Sequence, residues 1–238
     1  MSARPAGRRQ PHRSHRTSAL ILRRVEHGES DLVLTLFTES LGRVSALARS
    51  ARKSSKRFAG ALEAFQTLKL ELDEPLASDL MLLREATIET PRLALTSDLE
   101  RMDAAGRALG WIRVAAPPRT GEPAVWKTIT ELLDRLDVNE KVSARLVLAE
   151  EGFRLLAAFG WALDLEQCVR CGRKCAPGRS AMVDASRGGL VCRACGGAHQ
   201  KLDGKVRGRL AAGLIDASDV DLALDLVERA LRAHAGTK

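Results

Sequence analysis

The chain has 238 residues, 45% of them hydrophobic, which suits one to three domains with sizeable cores at about 100–200 residues each. Its net charge is +8, and no apolar run approaches the roughly 18 residues that would cross a membrane. The apolar stretch 18–22 runs at once into Arg23 and Arg24, too short for the core of a secretory signal.

Residues 1–57 hold 13 Lys and Arg against 4 Asp and Glu, so the front quarter carries +9. Residues 58–167 hold 12 basic and 19 acidic groups, whereas 168–199 hold 6 and 1. A basic front, an acidic middle and a second basic stretch point to polyanionic partners, because concentrated cations attract and steer them. Residues 1–16 carry five arginines and no acid, with Pro5, Gly7 and Pro11 breaking regular structure. They read as a disordered basic extension, and an organelle transit peptide is the alternative.

From residue 17 to about 90 the pattern is β. Ala19, Ile21 and Val25 open it, His27–Gly28–Glu29 turns, and residues 32–37 form an apolar second strand. Residues 44–48 give a third strand. Residues 64–72 alternate at period two and give a fourth. Residues 80–88 give a fifth, although Met-Leu-Leu-Arg-Glu-Ala also suits a helix. Five short strands in about 75 residues predict a small barrel over 17–91, and the OB-fold is the common five-stranded choice.

After Asp98, a plausible N-cap, the period becomes helical. Leu99, Met102, Ala105, Leu109 and Ile112 share a face, and Pro117–Pro118 ends that helix. Pro123 sits in the first turn of the next, with Trp126, Ile129, Leu132, Leu133 and Leu136 as its stripe. A third helix spans about 141–161, with Leu146, Ala149, Phe153, Leu156 and Phe159 facing inward. Two more, 206–214 and 220–233, complete a helical domain of 92–167 and 200–238.

Residues 168–199 interrupt that domain. Cys168 and Cys171 form one CxxC pair, Cys192 and Cys195 a second, with 20 residues between them. This is the spacing of a closed four-sulfur site for one structural zinc ion. Cys175 and His199 are the competing ligands. Without a secretory signal, such pairs fit a reducing cytosol and metal rather than disulfides. The fold class is therefore α+β and multidomain: an N-terminal five-stranded OB-fold barrel, then helices with an inserted four-cysteine zinc ribbon.

Phosphate-binding glycine loops are absent from the sequence. His27–Gly28–Glu29 matches half of a zinc-deaminase signature, but Gln167 stands where its proline should precede Cys168. Binding is better supported than catalysis. Between Glu39 and Glu63 there is no acid, while Arg43, Arg49, Arg52, Lys53, Lys56 and Arg57 all occur. On a small barrel these make one cationic edge for phosphates, with Phe58 as the base-stacking candidate; Phe37 and Phe65 read as core. A solubilising loop is the bland alternative.

Residues 18–38, then Gly42–Arg43–Val44, then the basic loop before residues 57–63, followed by four cysteines inserted among helices, resemble the bacterial RecO family. The resemblance spans about 17–235. It implies a non-enzymatic recombination mediator that binds single- and double-stranded DNA and anneals complementary strands. With RecR, such proteins help load RecA onto strands coated by single-strand-binding protein, whose acidic-apolar C-terminal tail they dock through the helical part. It also implies a cytoplasmic, nucleoid-associated bacterial protein. A zinc-dependent nucleic-acid enzyme, or a redox protein using the CxxC pairs, is the reading from another class.

Overall fold

The computed structural model describes residues 13–53, 57–58, 60–76, 78–138 and 142–235. They fall into two units: Met1–Pro91 with Pro117–Gly121, and Arg92–Ala116 with Glu122–Lys238.

The first unit is built from β1 (Arg13–His27), β2 (Asp31–Thr38), β3 (Gly42–Ala48), β4 (Thr67–Glu74) and β5 (Leu80–Thr90). The ring order is β1-β2-β3-β5-β4, as an OB-fold requires. Every ladder is antiparallel except the β3–β5 seam, three parallel pairs from Ser45↔Leu80 to Leu47↔Leu82. Strand β1 serves two neighbours: residues 13–19 pair with β4, and 19–27 pair with β2. Inward-facing Leu34, Leu36, Leu68, Leu70, Leu72, Met81 and Leu83 fill the core, each leucine contributing about 2 kcal/mol by leaving water.

The barrel starts four residues earlier than the sequence pattern suggests. Arg13, Ser14, His15 and Arg16 are strand, opposite Glu74, Asp73, Leu72 and Glu71. Cross-strand pairing explains it: Arg16 forms an ion pair with Glu71 at 3.2 Å, and His15 a hydrogen bond with Glu74 at 3.3 Å. Residues 1–12 lie outside the described residues.

Pro117–Gly121 return to this unit. Arg119 donates its backbone N–H to the Arg43 carbonyl at 3.0 Å, and its guanidinium pairs with Glu74. The Arg119 and His15 hydrogen bonds hold the Glu74 carboxyl below its ordinary pKa. Gly42 permits the approach. Its φ is +65°, and a Cβ there would stand 1.8 Å from the Thr120 carbonyl oxygen. Gly42→Ala is expected to lower stability by about 2 kcal/mol or more in denaturant titration, and an unchanged midpoint would contradict this contact.

The second unit contains α1 (Leu93–Thr96), α2 (Leu99–Ala115), α3 (Pro123–Asp137), α4 (Ala144–Ala158), α5 (Gly204–Ala211) and α6 (Val220–Ala235). Asp98 caps α2 as expected, accepting from the N–H groups of Glu100 and Arg101 at 2.9 and 3.2 Å. The α3 stripe Trp126, Ile129, Leu132, Leu133 and Leu136 is buried as read. Two other faces differ from the expectation. In α2, Leu99 is 84% exposed, and the inner face is Ala104, Ala105, Ala108, Leu109, Trp111 and Ile112. In α4 the expected Ala149 and Leu156 are buried, but so are Val147, Leu148, Glu151, Gly152 and Leu155, while Leu146, Phe153 and Phe159 stay half-exposed.

That α4 face hid because it carries a glycine and a glutamate. Gly152 admits a close crossing: a Cβ would meet Val227 at 3.1 Å and Trp111 at 3.2 Å. Glu151 is fully buried, and Oε1 accepts from Arg135 at 2.5 Å and Arg154 at 3.0 Å. Paired this way, its charge is tolerated in the interior.

Inserted between α4 and α5 is a second, mixed sheet of order β6-β8-β7-β9. Its strands are β6 (Asp164–Cys168), β7 (Ala181–Asp184), β8 (Gly189–Leu190) and β9 (Gln200–Leu202), so this module begins and ends a few residues outside 168–199.

Candidate metal centre and candidate nucleic-acid interface

Strands β6 and β8 run parallel, with Cys168 opposite Leu190. Parallel neighbours end on the same side, so the CxxC turn after β6 and the one after β8 meet. The Val169 N–H binds the Leu190 carbonyl at 2.9 Å and closes the junction. Gly189 makes the pairing possible: its φ is +145°, and a Cβ would lie 2.2 Å from the Asp164 oxygen.

Each CxxC closes as a tight turn. Gly172 donates to the Cys168 carbonyl at 2.8 Å, and Cys195 to the Cys192 carbonyl at 2.9 Å. The Sγ atoms of Cys168, Cys171, Cys192 and Cys195 all lie within 4.8 Å of one another, and Cys171 and Cys192 are 3.7 Å apart. A tetrahedron of metal–sulfur bonds of about 2.3 Å has edges of about 3.8 Å. The donor set therefore fits one metal ion, with its softness matched to zinc-like cations. Cys175 is not in the cluster; its thiol faces the Arg179 carbonyl at 3.9 Å. Nor is His199, which is exposed.

The thiols share charge unevenly. The backbone N–H of Cys192, then that of Arg170, pull the Cys168 pKa down to about 6. Hydrogen bonding to Cys192 and then Cys171 pushes the Cys195 thiol up to about 12. Backbone donors let Cys168 carry charge readily, and the neighbouring sulfurs make Cys195 resist it, which a bound cation would reverse.

A residue that the sequence reading passed over holds this module in place. Arg207, on α5 and 3% exposed, donates to three backbone carbonyls: Leu165 at 2.6 Å, Ala176 at 2.8 Å and Arg179 at 3.1 Å. The sequence signal was faint, an arginine at the inner edge of a short, poorly apolar helix.

The barrel cations are less unified than expected. Arg49, Arg52, Lys53 and Arg57 gather after β3 and are exposed. The segment is tied to the β1–β2 turn: Arg52 N–H binds the Ser30 carbonyl at 3.0 Å, and Ser50 N–H binds Asp31 at 2.7 Å. Arg57 donates to the Arg49 carbonyl at 2.6 Å. Arg52 pairs with Glu26 at 3.1 Å, whereas Arg49 and Lys53 have no ion-pair partner among the described residues. Arg43 sits at the other end of β3, about 20 Å away by strand rise, so it leaves the edge. Lys56 lies outside the described residues.

Phe58 is 2% exposed and packs in the barrel core, with the Arg57 guanidinium 5.1 Å from its ring centre. It cannot stack on a base from there. A large apolar ring there adds to the buried core of the barrel. Phe37 is buried as expected, whereas Phe65 is half-exposed, in a left-handed turn at φ 72°.

Comparison with known proteins agrees with this arrangement of parts. Residues 13–92 match the family model described as Recombination protein O N terminal, and residues 96–207 match Recombination protein O C terminal. A DNA repair protein RecO from Anaeromyxobacter sp. (strain K) is 37% identical over 178 residues, covering 75% of this chain and 69% of the relative. The protein of that name from Desulfatibacillum aliphaticivorans is 33% identical over 237 residues and covers 92% of each chain. One from Myxococcus xanthus is 34% identical over 178 residues, 75% of this chain and 71% of the relative.

Proposed function

This chain belongs to the RecO family of DNA repair proteins, and from that premise we propose that it is a non-enzymatic recombination mediator. It binds single- and double-stranded DNA and anneals complementary strands. With RecR it helps load RecA onto DNA coated by single-strand-binding protein, in the cytoplasm of a bacterial cell. The observation that carries the DNA-binding part is the acid-free segment after β3. It offers Arg49, Arg52, Lys53 and Arg57 on the surface of an OB-fold barrel. Cations gathered on one edge screen the repulsion between two phosphate backbones, which annealing requires.

Cys168, Cys171, Cys192 and Cys195 would hold one structural zinc ion. Four sulfur donors would leave such an ion no position for a substrate, which favours scaffolding over catalysis or redox exchange. The apolar part of an acidic-apolar peptide tail finds matching chemistry in the helical unit. Phe153, Ala157, Leu210 and Ile215 line a depression whose rim carries Glu150 with Arg135 and Arg154, both arginines already paired to glutamates.

The test is salt dependence. Neutralising Arg49, Arg52 and Lys53 to glutamine is expected to reduce the slope of log affinity against log salt for a single strand by about 2, at about 0.7 per phosphate contact. Annealing by the unaltered protein should proceed without ATP. An unchanged slope would remove the barrel edge from the interface.

A further inference from the structure

The other basic stretch of the chain is the four-cysteine ribbon, and its cations are less neutralised than those of the barrel. On the barrel, Arg16, Arg24, Arg52, Arg84 and Arg119 are each paired to a carboxylate. Among the described residues of 168–199 there is one ion pair, Arg187 with Asp184 at 3.1 Å. Arg170, Arg173, Lys174 and Arg193 are exposed and have no carboxylate partner among the described residues.

Two of these four residues sit inside the two CxxC turns, and two follow the first turn directly. Arg170 lies between Cys168 and Cys171, and Arg193 between Cys192 and Cys195. The sulfurs on either side of them converge within 4.8 Å, so the two arginines flank a common centre. The Arg170 guanidinium reaches the Cys195 carbonyl at 3.5 Å and spans the two turns. Arg173 and Lys174 follow directly on the return strand, where Lys174 bridges Gln167 and the Arg173 carbonyl accepts from the Cys168 N–H at 2.9 Å. Both the turns and the bridge fix the backbone beneath the cations, so little order must be imposed on binding.

We propose that Arg170, Arg173, Lys174 and Arg193 form a second polynucleotide-backbone site, on the ribbon and separate from the barrel segment. A chain of phosphates is the occupant the chemistry favours. Residues 168–199 include no aromatic residue to stack on a base, and Val169, 37% exposed, is the large apolar residue showing at the turns. A protein partner would need an apolar centre that this surface does not offer. Repeated anions satisfy several fixed cations without one, and the contact carries no base preference. A metal ion held by the four sulfurs would act here only by keeping the two turns together.

The experiment uses the full-length protein and a fluorescein-labelled oligothymidylate. Arg170→Gln, Lys174→Gln and Arg193→Gln together should reduce the salt slope by about 2, while metal content and circular dichroism stay those of the parent. Combining them with the barrel substitutions should reduce the slope further, as independent sites require. An unchanged slope with metal and fold retained would overturn the ribbon site and leave the barrel reading intact. Loss of binding to an acidic protein with DNA affinity untouched would overturn it as well.

Discussion

Serine at Cys192 is expected to abolish metal retention and unfold the ribbon. The module from β6 to β9 is short, and its apolar interior is little more than Leu165, Val183, Leu190, Val191 and Leu202. Domains below about 40 residues usually need a metal or disulfides to hold together. Structural zinc supplies about 10–16 kcal/mol of apparent folding energy in small zinc-binding peptides, so losing one of four thiolates removes most of what stabilises this sheet. Metal per chain should fall from about one to near zero, and proteases should cut near Gly178. Acid should do the same reversibly. Ligand sulfurs must be deprotonated, so protons displace the ion as pH falls, and raising the pH again restores it. A Cys192→Ser protein that keeps its ion and resists proteolysis would refute the four-sulfur centre.

Arg207→Ala is expected to cost about 2 kcal/mol or more, because it strips the donor from three backbone carbonyls at once, that of Leu165 in the interior. Those carbonyls belong to Leu165, Ala176 and Arg179, which bracket the first CxxC turn. Hydrogen exchange should accelerate across residues 164–184. Arg207→Lys should restore the charge but little of the protection, since an ammonium cannot reproduce a planar fork aimed at three acceptors. Full rescue by lysine would show that charge alone matters there.

Much of this molecule can be read along the chain. Period-two alternation in residues 64–72 and the turn at Gly28 give the barrel strands. The Asp98 cap and Pro123 give two helix starts, and the CxxC spacing gives the metal cluster. Each is a local property: a side chain alternates, caps or turns with neighbours a few residues away. Burial of individual positions was less legible. Phe58 read as a base-stacking candidate, yet it packs in the barrel core. Leu99 looked like core and is in water. The α4 interior is lined through Glu151 and Gly152, which no hydrophobic pattern selects.

The order of elements, the four-cysteine cluster and the placement of charge in two blocks are thus properties of the sequence itself, fixed by covalent spacing and short-range periodicity. Tertiary structure alone decided which cations share a surface and which are spent on carboxylates. It separated Arg43 from the segment after β3, paired Arg52 with Glu26, and gathered Arg170 and Arg193 around one cluster. Electrostatic neighbours are set by distance through space, and β pairing brings together residues such as Arg16 and Glu71 that no local window contains.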